Sequence, residues 1–164
     1  MKKIFWIYLI IMGLVMVWYV PPFQKADEVV HFKNAAVLME GNTGLIQKRF
    51  VDLVEKINVS KVAFKYESKF DDKRVWEKDE NKELIRFDYF IKWENYISYF
   101  PVEVGVWLGS YSPYPVMALY GGRMAGLILF LICVGLSQLI IPKKYFGLIM
   151  AYAVIPMVIH QATE

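Results

Sequence analysis

Val116 to Ile141 is a run of 26 residues with a single charge, Arg123. A bilayer core needs about 20 apolar residues of helix, so this run alone commits the chain to a membrane. Two more runs accompany it. Ile4 to Val20 is 17 uncharged residues behind Met1-Lys2-Lys3, the short end of a span. A basic start and an apolar core also describe a cleaved signal peptide. However, no small-x-small cleavage site follows, and Trp18 and Tyr19 stand where an interfacial aromatic belt would lie. The run therefore reads as an uncleaved span. Pro142-Lys143-Lys144 breaks the long run, and Tyr145 to His160 is apolar again. The expected fold is an all-α membrane protein with three transmembrane helices, at 1–20, 116–141 and 145–161. A large extracytoplasmic loop of amphipathic and interfacial helices, 21–115, separates the first two.

The basic flanks orient this arrangement. Lys2-Lys3 and Lys143-Lys144 place the N-terminus and the second turn in the cytoplasm by the positive-inside rule, which puts the loop outside. Three spans need the same alternation, so the two signals agree. The expected location is the inner (plasma) membrane, multi-pass, with the lipid bilayer as first partner. Hydrophobic residues make up 57% of the chain and its mean hydropathy is +0.33, well above an ordinary globular domain. A net charge of +3 is too small to suggest nucleic acid, and the lone Cys133 rules out an internal disulfide.

Where the first run stops, Pro21-Pro22 ends its helix, because proline lacks the amide and clashes with the preceding turn. Asp27 can cap a new helix and Gly41 can close it. On that helix Asp27, Glu28 and His31 are spaced i, i+1 and i+4, so the three side chains can meet on one face beside the bilayer. Val29, Phe32, Ala36 and Met39 would form an apolar stripe opposite. Two readings of the acids and the histidine stand side by side. They are a helix cap, a first-turn acid and a packed imidazole, or they are a reactive group at the membrane surface.

The loop carries fourteen Lys/Arg and fifteen Asp/Glu. Ile46, Phe50, Leu53, Val54 and Ile57 repeat at helical spacing. From Asn58 to Glu83 the pattern dissolves into charge and reads as a solvated segment. The Asn58-Val59-Ser60 acceptor triplet is too common to interpret. Leu84 to Phe100 is rich in aromatics suited to a membrane interface or to a core within the loop. Pro101 fits the first position of a short helix ending at Gly109. In the long run, Ala118, Gly122 and Gly126 form a small-xxx-small ladder that admits a neighbouring helix. Arg123 lies about 10 Å inside, at 1.5 Å per residue. It can snorkel to the outer interface, or hold a lipid phosphate or a loop carboxylate.

The order of a first span, PPFQKADEVVHF, a glycine, YFPVEVG at 99–105, Arg123 and then Pro156 to Gln161 resembles the bacterial membrane proteins called domain of unknown function 2142. That family is similar to GT-C glycosyltransferases, polytopic enzymes that take sugars from polyprenyl phosphates and carry an acidic motif in the first outer loop. Val29 stands where the family usually has proline, and Glu103 where it often has glutamine. Such enzymes have about a dozen spans, so the resemblance implies the N-terminal part of a longer protein, with a missing C-terminal portion or an oligomer completing it.

The resemblance implies transfer of a sugar from a polyprenyl-phosphate donor to a cell-envelope glycan acceptor. Asp27 would be the general base, with Glu28 beside it as the second catalytic acid. His31, Arg123 and Glu103 would bind substrate, Arg123 through its fork on the departing phosphate. Asp27, Glu28 and His31 could also hold a divalent cation, Mg or Mn. A non-catalytic assembly or binding subunit, or an inactive remnant, is the alternative.

Overall fold

The computed structural model describes residues 2–20, 22–23, 28–57, 73–87 and 93–153. Asp27, the Asn58–Ser60 triplet, and Pro156 to Gln161 lie outside the described residues. The described chain is mostly helical. In order come α1 (Lys2–Tyr19), α2 (Glu28–Met39), β1 (Leu45–Gln47), α3 (Lys48–Ile57), a 3-10 turn (Lys73–Trp76) and β2 (Leu84–Arg86). Then follow α4 (Trp93–Gly109), α5 (Val116–Ile140), a second 3-10 turn (Lys143–Tyr145) and α6 (Phe146–Ala153).

One described helix, α5, is long and apolar enough to cross a membrane, while the apolar part of α1, Lys3–Tyr19, is shorter. The third expected run is described only as the eight residues of α6. The structure therefore supports one span by length and composition, where the sequence suggests three. Helix α5 ends as its sequence dictates. Ile141 precedes Pro142, which biases it away from helical backbone, and it sits extended at φ −85°, ψ 136°.

α1 runs antiparallel to the C-terminal part of α5. Phe5 and Leu9 join Val134 and Ala153 in one small core, Gly13 faces Leu127, and Val17 reaches Arg123. The N-terminal part of α5 is covered instead by α4. Gly105 and Gly109 on α4 meet Gly121 and the Met117–Ala118 backbone on α5. A Cβ on Gly105 would come within 2.6 Å of the Gly121 carbonyl carbon and 2.8 Å of the Ala125 Cβ. The expected close approach is thus made within this chain. Its glycines are Gly105 and Gly109 against Gly121, and the Gly105-x-x-x-Gly109 pair was itself visible as a small-xxx-small signal.

Around the C-terminal end of α1 and the N-terminal end of α5 lies a second core. Phe32 on α2 packs against Phe23 and Phe50, with ring centroids 5.6 and 5.5 Å away. Ile46, Leu53 and Val54 complete the expected amphipathic face, with Ile46 contributed by β1. β1 and β2 pair antiparallel, Ile46 opposite Ile85. α2 ends where Gly41 adopts φ +73°. The Gly41 N–H donates to Leu38 O and the Asn42 N–H to Val37 O, a Schellman closure that satisfies the last carbonyls.

Three expectations need correcting. Pro101 lies inside α4, because the glycine seam and the contacts with α2 on either side of it hold the helix through the one missing N–H. Part of the charged segment is anchored. Val75 is buried, Trp76 stacks on Tyr120 at 5.7 Å, and the Asp79 N–H donates to Pro113 O. On α2, Glu28 shares the buried face with Phe32 and does not stand opposite the apolar stripe. Positions i and i+4 lie on one side of a helix, and that side meets α4 and α5.

Candidate functional site

Arg123 and Glu28, 95 residues apart, form an ion pair at the C-terminal end of α1. Arg123 Nε donates to Glu28 Oε1 at 2.6 Å and Nη2 to Oε2 at 2.8 Å. Each side chain is 1% exposed. This is the paired-fork geometry in which arginine binds carboxylate most strongly. Nη1 donates to Val17 O at 2.9 Å and Val20 O at 2.6 Å. Val17 lies in the last turn of α1 and Val20 just past its end, where the helix leaves acceptors unpaired and the dipole favours a cation. Arg123 therefore closes α1 and holds α2 with one planar group.

Glu28 Oε2 accepts a second bond, from the Phe23 N–H at 2.7 Å. Phe23 has φ +59°, a left-handed backbone disfavoured for a bulky residue. Full burial of its ring and the bond to Glu28 hold it there. Phe23 thus marks the elbow at which the chain turns from α1 toward α2.

His31 faces another way. Its Nδ1 lies 3.1 Å from Tyr99 Oη on α4, and Asn34 Nδ2 donates to the same hydroxyl at 2.9 Å. The Tyr99 hydroxyl thus ties two α2 side chains, His31 and Asn34, to α4. Glu103 is one turn along α4 from Tyr99. It is partly buried, and its Oε2 is without a hydrogen-bond partner among the described residues. Burial pushes its carboxyl above the usual carboxylate range.

The sequence-derived residues therefore divide into two groups. Glu28 and Arg123 join at α5, whereas His31 and Glu103 lie along the α2–α4 seam. Glu28, Phe32, Val102, Val106, Leu119, Gly122 and Arg123 line a small cavity between α2, α4 and α5. Asp27, next to Glu28 in sequence, lies outside the described residues. Among the described residues no group of three or more His, Cys, Asp or Glu side chains is placed to hold a metal ion. Glu28 and His31 do not fit a shared cation as placed, since the Glu28 oxygens are committed to Arg123 and Phe23.

A family model described as "Predicted membrane protein (DUF2142)" matches residues 9–164. The chain belongs to this family. No curated protein and no solved structure matches the DUF2142 chain.

Arg49 is the residue that sequence reasoning missed in the DUF2142 chain. It is 1% exposed. Nε donates to Gln47 Oε1 at 2.8 Å, Nη2 to Ser110 O at 2.6 Å, and Nη1 to Ser112 O at 3.2 Å and Asp79 O at 3.4 Å. Gln47 in turn donates to Glu40. Burial lowers the Arg49 pKa from its ordinary value, while Asp79 and Glu40 act in the opposite sense. Arg49 closes the C-terminal turn of α4 as Arg123 closes that of α1. No local pattern around Lys48-Arg49 signals it, because its acceptors at Ser110 and Ser112 lie more than sixty residues away.

Proposed function

We infer that this DUF2142 chain forms part of a GT-C-like membrane glycosyltransferase that moves a sugar from a polyprenyl-phosphate donor to a cell-envelope glycan acceptor. The observation that carries the reading is the buried Arg123–Glu28 pair, which ties the start of α2 to the outer end of α1. Glu28, the second acid of the motif, is thereby fixed at the level where α1 ends, the level at which a lipid-linked phosphate would present its headgroup. In this reading α1, α5 and the run beginning at Tyr145 all cross the inner membrane, with Lys2-Lys3 and Lys143-Lys144 cytoplasmic and 21–115 outside.

Asp27 is the general base that takes the acceptor hydroxyl proton as the acceptor oxygen attacks the anomeric carbon. The carbon–oxygen bond to the phosphate breaks, and the lipid phosphate leaves with the electron pair. One such displacement inverts the anomeric centre. Glu28 positions the motif through Arg123, because its own oxygens already accept three hydrogen bonds. The Arg123 fork, implied by the resemblance to bind the donor phosphate, is held by Glu28. His31, held against Tyr99, and Glu103 meet substrate hydroxyls.

The experiment is Asp27→Asn in native membranes, with transfer from a polyprenyl-phosphate sugar normalised to inserted protein. The amide keeps the size and a capping oxygen but cannot take the proton, so turnover should fall by about 10²–10⁴. Full turnover would return Asp27 to a helix cap.

A further inference from the structure

We propose that α4 is immersed in the outer leaflet of the bilayer, with one face against the acyl chains, although it lies within the loop the charges assign to the outside. The exposed side chains described on α4 are Ile97, Phe100, Val104, Trp107 and Leu108. They recur at i, i+3, i+7, i+10 and i+11, a single stripe of a 3.6-residue helix, and Tyr111 extends it at 65% exposure. A helix bordering water presents polar residues outward, and one that presents apolar residues all round belongs in a core or a membrane.

The neighbouring elements show that the stripe is a local choice. Helix α3 exposes Lys48, Glu55 and Lys56, and residues 77–83 expose Glu77, Lys78, Glu80, Asn81, Lys82 and Glu83. Those elements face water. The outward surfaces of α1 and α5 are apolar, as at Ile11, Ile128 and Ile132. The polarity boundary therefore runs between α3 and α4, and α4 falls on the hydrocarbon side.

Two observations identify lipid as the occupant. First, the stripe is continuous with the apolar surface of the span, since α4 packs on α5 through Gly105, Gly109 and Gly121 with backbones in contact. Second, α1 covers α5 only as far out as Arg123 and Tyr120, so α4 stands beside the outer end of the span. Phe100, Trp107 and Tyr111 supply the aromatic rings that favour the membrane–water boundary. The polar contacts of the helix, Tyr99 with His31 and Asn34, lie on its protein-facing side.

The test is site-directed spin labelling of the whole chain in liposomes, in a Cys133→Ser background. Labels go at Phe100→Cys, Val104→Cys and Trp107→Cys, with Lys56→Cys on α3 as the aqueous reference. A label on the native exposed Cys133 of α5 serves as the hydrocarbon reference. The readout is collision with oxygen, which concentrates in hydrocarbon, against a water-soluble nickel chelate. All three α4 labels should match Cys133, with at least a threefold excess of oxygen over nickel relative to Lys56. Nickel accessibility equal to that of Lys56 would overturn the proposal in favour of water. Protection from both reagents would overturn it in favour of a second copy or another protein on this face. Three separate sites guard against one label disturbing the fold.

Discussion

Replacing Glu28 by glutamine tests whether the buried pair holds α2 and the end of α1 to α5. Three donors converge on the Glu28 oxygens, Arg123 Nε–H and Nη2–H and the Phe23 N–H. Glutamine offers one oxygen and one NH₂, so a donor must face a donor, and Arg123 stays buried without a carboxylate. Removing one partner of a buried pair costs about 3–5 kcal/mol, and insertion scales place an unpaired arginine in a membrane at about 2.5–3.5 kcal/mol. The expected loss for Glu28→Gln is therefore about 3 kcal/mol, roughly a hundredfold in the unfolding equilibrium. Arg123→Met should lose more, because the Val17 and Val20 carbonyls lose their donors as well. In Glu28→Gln/Arg123→Met the buried charges are gone together, and the loss should fall short of the sum by about 2–3 kcal/mol. The assay is SDS denaturation of each purified variant in mixed micelles, followed by circular dichroism. A coupling below about 1 kcal/mol, or a Glu28→Gln loss that small, would refute the argument that this pair joins α1, α2 and α5.

Arg49→Lys keeps the charge but loses the fork that reaches Ser110 O, Ser112 O and Gln47. It should destabilise the protein by about 2 kcal/mol and hasten proteolysis between 110 and 115, and unchanged proteolysis would count against the clamp. Gly121→Ala should cost about 1–3 kcal/mol, because its Cβ would strike the Gly105 backbone. Gly147→Ala meets nothing within 4 Å and should stabilise α6 by up to about 1 kcal/mol. Thermal denaturation of both variants gives the sign at each position. For topology, in the Cys133→Ser background, Glu80→Cys should react with a membrane-impermeant thiol reagent on intact cells. Lys143→Cys should react only after the membrane is opened, and the reverse pattern would invert the proposed orientation.

What could be read from the sequence is what depends on short stretches of chain. The long span follows from the bilayer's thickness and from the rarity of charge between Val116 and Ile141. The end of α5 before Pro142 and the Gly41 closure of α2 follow from backbone sterics at single residues. The buried face of α3 follows from helical period, since Phe50, Leu53 and Val54 could share only one side. Each of these has its cause within a few residues of the feature it sets.

The tertiary structure decided which distant groups meet. That Arg123 would take Glu28, and the α1 carbonyls with it, depended on α2 and α5 arriving at the end of α1 in one register. Arg49 is buried only because Ser110 and Ser112, more than sixty residues away, close around it. Gly121 serves the helix seam because Gly105 and Gly109 reach it across the α4–α5 turn, and that contact carries α4 past Pro101. Local propensity sets where a helix starts and stops. The angle and depth at which helices cross, and so which side chain lies opposite which, come from packing that no short window of sequence contains.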